Sequence, residues 1–290
     1  MIKAMLELGR VSNLPTVLSN CLAAWVVMSG GAAWFDAAFW WLCGGAFLIY
    51  VGGTALNDVF DVAFDREHRK ERPIPSGRVS EKQVKIGGSA AMAAGAALMI
   101  FLGGADPAYV LALVGAVVFY DYIHKKSWIG PWVMGLCRFL LFVAVASAFA
   151  EDARFVALMI VGGMVGLYVV GLTFAAKGES GGGKVNKWGA ILVFVPVALL
   201  AFRLLQAASY APEEQVVPLA VLAVFLLWAI WGIRVLKEGG AKIGKAVEMF
   251  LAGLVLLDAC VVAFYLPQVA LYMLAGFLLT LVLQKVVPAT

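Results

Sequence analysis

The sequence predicts an all-α membrane protein of nine or ten transmembrane helices, and three observations predict it. Mean hydropathy is +0.94, 63% of the residues are hydrophobic against 14% charged, and long apolar runs recur along the whole chain. Runs of about twenty apolar residues are what a helix needs to cross a bilayer core while satisfying its own backbone. A soluble fold is excluded, and a single polytopic domain over residues 1–290 is expected.

The runs lie at Val11–Gly30, Ala37–Leu56, Val84–Gly103, Pro107–Ile123, Gly130–Ala150, Phe155–Phe174, Gly189–Ala207, Val216–Leu236, Val247–Leu266 and Gln268–Val287. Polar punctuation separates them with alternating character. Lys3 and Arg10 precede the first run, Arg66 to Lys85 follow the second, Lys125 and Lys126 the fourth, Lys177, Lys184 and Lys187 the sixth, and Arg234 to Lys245 the eighth. The intervening loops carry Asp36, Asp106, Glu151, Asp152, Glu213 and Glu214. Only Pro267 parts the last two runs; it either breaks the helix or kinks it, which decides between ten spans and nine with one of them bent.

Basic residues stay on the cytoplasmic side of a membrane protein. All but Arg154 and Arg203 of the 22 Lys and Arg lie on or nearest one face, so both termini are expected in the cytoplasm, with the cell membrane as the setting. The formal net charge of +4 is thus a topology signal, and no nucleic-acid partner is expected. Cys21, Cys43, Cys137 and Cys260 all fall inside spans, where a thiol acts as a small hydrophobe, so neither disulfides nor a zinc site is expected.

Against this background the segment NDVFDVAFDREHRKERPIPSGRVS, from Asn57, is conspicuous for its charge. If the second span continues as a helix through Asp65, then Asn57, Asp58, Asp61 and Asp65 share one arc, because a helix turns about 100° per residue. Three carboxylates so placed repel unless something positive sits among them. A hard divalent cation suits such oxygen donors, and magnesium fills its remaining positions with water and substrate phosphates. Arg66, Arg69, Lys70, Arg72 and Arg78 follow, and guanidinium forks bind phosphate oxygens in pairs. Pro73 and Pro75 stiffen the turn, Gly77 lets it bend, and Ser80 with Gln83 has capping-box spacing. The plainer alternative is a solvated charged loop that only anchors topology.

This segment resembles the first signature of the UbiA superfamily of intramembrane prenyltransferases, an NDxxDxxxD helix end followed by a basic loop with an RPIPSG-like turn. The resemblance implies helices around a central cavity, with magnesium bridging the aspartates to an isoprenyl diphosphate. It also implies transfer of the prenyl group to an acceptor, often an aromatic ring, within the lipid bilayer. By position, Asn57, Asp58, Asp61 and Asp65 would serve metal and diphosphate, and Arg72 and Arg78 would contact phosphate. RVSNLPTVLSN opens the first span as family members do, placing Arg10 and Asn13 at the cavity mouth, with Arg10 as a mere topology charge the competing reading. YDYIHKK ends the fourth span in the family manner, making Lys125 the phosphate-facing candidate and Lys126 a surface charge. Arg138, inside the fifth span, is costly unless paired or facing a wet cavity, which makes it a substrate-binding candidate, with a structural ion pair to Asp258 in the ninth span the competing reading.

The family's second acidic motif is absent. After the sixth span the chain reads GLTFAAKGESGGGK, with Thr173 and Lys177 four apart where carboxylates are expected, and Glu179 as the nearby acid. Three outcomes follow: one metal on the first motif with Lys177 as a fixed cation, a substrate other than a long-chain diphosphate, or loss of catalysis. The first is preferred, because lysine keeps positive charge opposite the phosphates. Glu179 would then be a further metal ligand or a loop charge. GESGGGKV lacks the Ser or Thr of a nucleotide-binding P-loop and follows no strand. The expected activity is magnesium-dependent prenyl transfer to an unidentified acceptor, with Asp61, Lys125 and Lys177 central to it. The alternative is a catalytically degenerate isoprenoid-binding protein, or a small carrier with Arg138 and Asp258 on its path.

Overall fold

The computed structural model describes residues 2–31, 36–125, 127–149, 154–180, 187–209, 211 and 213–287. Lys126, Glu151, Asp152, Lys184 and most of the glycine-rich stretch after Ser180 lie outside them, as do the side chains of Glu179 and Lys187. A short helix α1 (Ile2–Leu8) leads through Arg10 and a 3-10 turn into α2 (Leu14–Ser29). There follow α3 (Ala37–Phe60), α4 (Val62–His68), α5 (Glu81–Ala97), α6 (Pro107–Ile123) and α7 (Gly130–Ala146). The chain then forms α8 (Arg154–Ser180), α9 (Lys187–Ala208), α10 (Val216–Lys237), α11 (Lys242–Ala263) and α12 (Pro267–Val286).

Ten of these helices match the ten apolar runs. Eight are long and apolar enough to cross a membrane, and α6 and α7 are shorter apolar helices. The helix is broken rather than kinked at Pro267: α11 stops at Ala263 and the proline is the first residue of α12, where its missing N–H costs nothing. The protein is an integral, multi-pass membrane protein. α11 is the central helix, with 89% of its most apolar window buried, whereas α5, α9, α10 and α12 present most of theirs outward to lipid. Cys21, Cys43, Cys137 and Cys260 are free and buried.

Two features position the charged segment. α3 and α5 approach so closely that a Cβ built on Gly45 would lie 2.6 Å from the Gly95 carbonyl oxygen, and one on Gly52 2.6 Å from that of Gly88. Small residues at helix crossings permit such backbone contact in a membrane, where apolar burial alone offers little drive. Beyond α4, Gly77 takes φ +73 in the turn. Ser80 and Gln83 then form the expected reciprocal cap that starts α5.

Candidate active site

The helix does not run unbroken through Asp65. It pauses at Asp61 between α3 and α4, yet the backbone bonds from Asp61 to Asn57 and from Asp65 to Asp61 persist at 2.9 Å. The four motif side chains therefore stay together, with Asn57, Asp58, Asp61 and Asp65 exposed by only 7, 6, 8 and 2%. Four carboxylate or amide groups buried at one helix end demand partners.

Side chains from other elements supply them. Arg72 donates to Asp58 at 2.7 Å and lies 3.8 Å from Asp65. Arg10 donates to Asn57 at 3.1 Å and stands 3.5 Å from Asp58. Lys125 and His124, just past α6, meet the two oxygens of Asp61 at 2.9 and 3.3 Å. The other ring nitrogen of His124 lies 3.0 Å from the Asp121 carbonyl, which can only accept, so the imidazole donates to both neighbours only with both nitrogens protonated. The positive partner that the sequence demanded is thus present in the protein itself.

The electrostatics differ from one carboxylate to the next. Burial would raise Asp61, but hydrogen bonds from His124 and Lys125 outweigh it and hold the carboxyl below its ordinary range. For Asp65 burial wins over the attraction of Arg72, and its pKa is raised. Burial also opposes the charge on Arg10, yet Asp58 and its neighbours more than compensate and hold the guanidinium above its ordinary value.

A cavity of about 110 Å³ opens between α2, α3, α6 and α7. Arg10, Asn57, Tyr120 and Asp121 line its charged end, while Val17, Ile49, Leu113 and Val117 give it apolar walls, and Tyr50 and Arg138 also line it. Phe60, Phe64, Tyr122 and Trp128, other aromatics of this end, are exposed. The cavity thus has a polar, charged end and a greasy interior.

Several residues were not legible as members of this site. Asp121, 5% exposed, accepts from Asn57 at 3.1 Å. The only signal in the sequence is an acid inside an apolar run, next to the more obvious lysines. His124 sits beside Lys125 in the same segment. Conversely, Arg78 is not brought to the carboxylates: it pairs with Glu7 of α1 at 2.7 Å and donates to the Glu71 carbonyl. Asn13 is buried in the turn before α2, and the cavity lining does not include it. Lys177, at the end of α8, donates to the Ser127 carbonyl at 2.6 Å, beside the segment bearing His124 and Lys125. The Thr173 hydroxyl turns back to the Val169 carbonyl at 2.7 Å. Arg138 does not contact Asp258 directly; Asn20 stands between them.

Among the described residues no three His, Cys, Asp or Glu side chains are grouped as around a metal ion. The donor set still fits a hard cation. It is all oxygen, and one buried oxygen each of Asp65 and Asp121 accepts no hydrogen bond among the described residues.

Fold and site together define a multi-pass membrane protein with an apolar cavity that is charged at one end. The chain belongs to the UbiA prenyltransferase family, whose model matches residues 16–284. It is 35% identical over 121 residues to a digeranylgeranylglyceryl phosphate synthase of Ignicoccus hospitalis, covering 42% of this chain and 38% of that one. It is 25% identical over 209 residues to a 4-hydroxybenzoate octaprenyltransferase of Idiomarina loihiensis, covering 67% and 74%. The match therefore spans well under half of the Ignicoccus relative. Two solved structures share the fold. One, from work on digeranylgeranylglyceryl phosphate synthase in membranes, has a TM-score of 0.62 at 20% identity, covering 92% of this chain and 100% of that one. A UbiA homologue from Aeropyrum pernix has a TM-score of 0.60 at 16% identity, covering 87% and 96%.

Proposed function

We propose that the protein transfers a prenyl group from an isoprenyl diphosphate to an acceptor dissolved in the membrane. The observation that carries this reading is the buried acid–base cluster at the charged end of an apolar cavity. The diphosphate binds where Arg10, Arg72 and Lys125 converge, and the prenyl chain lies along the apolar walls. Asp58, Asp61 and Asp65 would hold a magnesium ion, which when bound would supply positive charge opposite the departing diphosphate. The three bases neutralise the carboxylates, and a diphosphate would offer them an equivalent partner, leaving carboxylate oxygens for a cation. The carbon–oxygen bond breaks with its electron pair leaving on the diphosphate, and the cavity wall keeps water from the allylic carbon. The charge-rich end, with most of the Lys and Arg, faces the cytoplasm. The relatives are named for a glyceryl phosphate lipid and for 4-hydroxybenzoate, and both are candidate acceptor classes.

Purified protein in lipid discs, given isoprenyl diphosphates of several lengths with magnesium, is expected to release inorganic pyrophosphate when acceptor is added. Binding without release would replace this reading with that of an isoprenoid-binding protein, and absence of binding would remove both.

The missing second acidic motif is read as a reduced metal requirement, with Lys177 supplying the second positive charge. Its reach to Ser127, beside Lys125, supports that role. Lys177→Glu is expected to lower turnover by about 10² and to shift its magnesium dependence, the usual scale for losing one electrostatic stabiliser. Unchanged turnover and magnesium dependence would remove the lysine from the mechanism.

A further inference from the structure

Arg138 has no part in the diphosphate site, and its surroundings are unusual. It stands eight residues beyond Gly130 in α7, on the order of 12 Å along the helix. On the opposite wall Tyr50, seven residues before Asn57 and thus about 10 Å deeper in α3, faces the guanidinium at 5.7 Å. An arginine at that depth is costly and ordinarily serves a ligand, a pathway or a buried ion pair.

An ion pair does not account for it. Nη1 donates to Asn20 at 2.8 Å and Nη2 to Thr16 at 3.2 Å, while Nε makes no hydrogen bond among the described residues. Asn20 in turn donates to Asp258 at 2.7 Å, and Ser19 donates to the same carboxylate oxygen. Asp258 is fully buried and is absent from the cavity lining, whereas Arg138 belongs to it. The counter-charge therefore sits one residue behind, where it fixes the guanidinium without covering it.

Neither part of a prenyl diphosphate needs this charge. Its anionic head is served at the mouth by Arg10, Arg72 and Lys125, and its tail is hydrocarbon. The other substrate must bring its reacting atom within about 3 Å of the allylic carbon, so a compact acceptor extends inward from there towards Arg138.

We propose that Arg138 recognises an anionic oxygen group, carboxylate or phosphate, on the acceptor, with Thr16, Asn20, Ser19 and Asp258 as its positioning residues. The inference rests on the transferase reading and gives a role to the buried arginine, which that reading leaves without one.

The test is equilibrium binding to protein in lipid discs, using a hydroxybenzoate, its methyl ester, an ether-linked glyceryl phosphate and the same ether without phosphate. The parent protein is expected to prefer one anionic probe over its neutral counterpart by about tenfold or more, the scale of a charge-assisted hydrogen bond. Which pair shows the preference separates carboxylate from phosphate. In Arg138→Gln that preference should vanish while isoprenyl diphosphate affinity stays within about twofold, the donor's charges lying elsewhere. Should Arg138→Gln not fold, Arg138→Lys keeps the charge but loses the fork, and the preference should fall several-fold. No preference in the parent, or equal loss of anionic and neutral binding in a folded variant, would overturn the proposal. Failure of the transferase reading shows separately, as no pyrophosphate release with any acceptor.

Discussion

Asp61→Asn is expected to lower prenyl transfer by at least about 10², while the protein still inserts and elutes as the parent does. The substitution preserves size and keeps one acceptor oxygen, so packing at the break between α3 and α4 has no reason to change. What it removes is charge. Asp61 meets Lys125 at 2.9 Å and His124 at 3.3 Å, and an amide neutralises neither. An amide is also a poorer donor to a hard cation than a carboxylate, so the magnesium concentration for half-maximal rate should rise. Turnover measured across a magnesium series, with a chelator control, checks both effects. Parental turnover in Asp61→Asn, indifferent to chelator, would dismiss the carboxylate-held metal from the reaction.

The second large effect concerns stability, and it changes sign between two glycines of one helix. Gly95→Ala in α5 is expected to destabilise the protein by about 1–3 kcal/mol, the range for overpacking a closed contact. The new methyl would stand 2.5 Å from the Gly45 carbonyl oxygen and 2.9 Å from the Ile49 nitrogen, and backbone cannot rotate aside as a side chain does. Gly87→Ala in the same helix meets nothing within 4 Å. There the gain in helix propensity, up to about 1 kcal/mol, should act alone and stabilise slightly. Unfolding midpoints in matched detergent compare the two. Because α3 also carries Asn57 and Asp58, Gly95→Ala should reduce turnover even at temperatures where it remains folded. Equal midpoints for the two variants would contradict the close α3–α5 crossing.

Much of the architecture was legible because a bilayer imposes a length on every apolar run, so ten runs became ten helices with boundaries shifted by a few residues. The carboxylate cluster was legible for a similar reason: Asn57, Asp58, Asp61 and Asp65 are near neighbours in sequence, and helix periodicity alone gathers them. What periodicity cannot show is which distant element arrives opposite. Arg78 lies in the same basic loop as Arg72, yet Arg72 turns towards Asp58 and Arg78 towards Glu7. Asp121 joins the site through a contact with a residue 64 positions away. Arg138 and Asp258 were recognisable as a costly buried pair, but the asparagine between them looks like any polar residue in an apolar span. The pause at Asp61 was also hidden, since nothing in VFDVAFD marks an interruption.

Arg10 is the one described residue other than glycine with positive φ, at 41°. A left-handed backbone costs an ordinary side chain roughly 1–2 kcal/mol, and glycine would adopt it freely. The corner where α1 turns into the first span is therefore easier to build without a guanidinium than with one. A protein designed purely for thermal endurance would place glycine there. Glycine at this corner would relieve the tension but take away the guanidinium that meets Asn57 and Asp58 at the cavity rim, so durability and charge are opposed at one position.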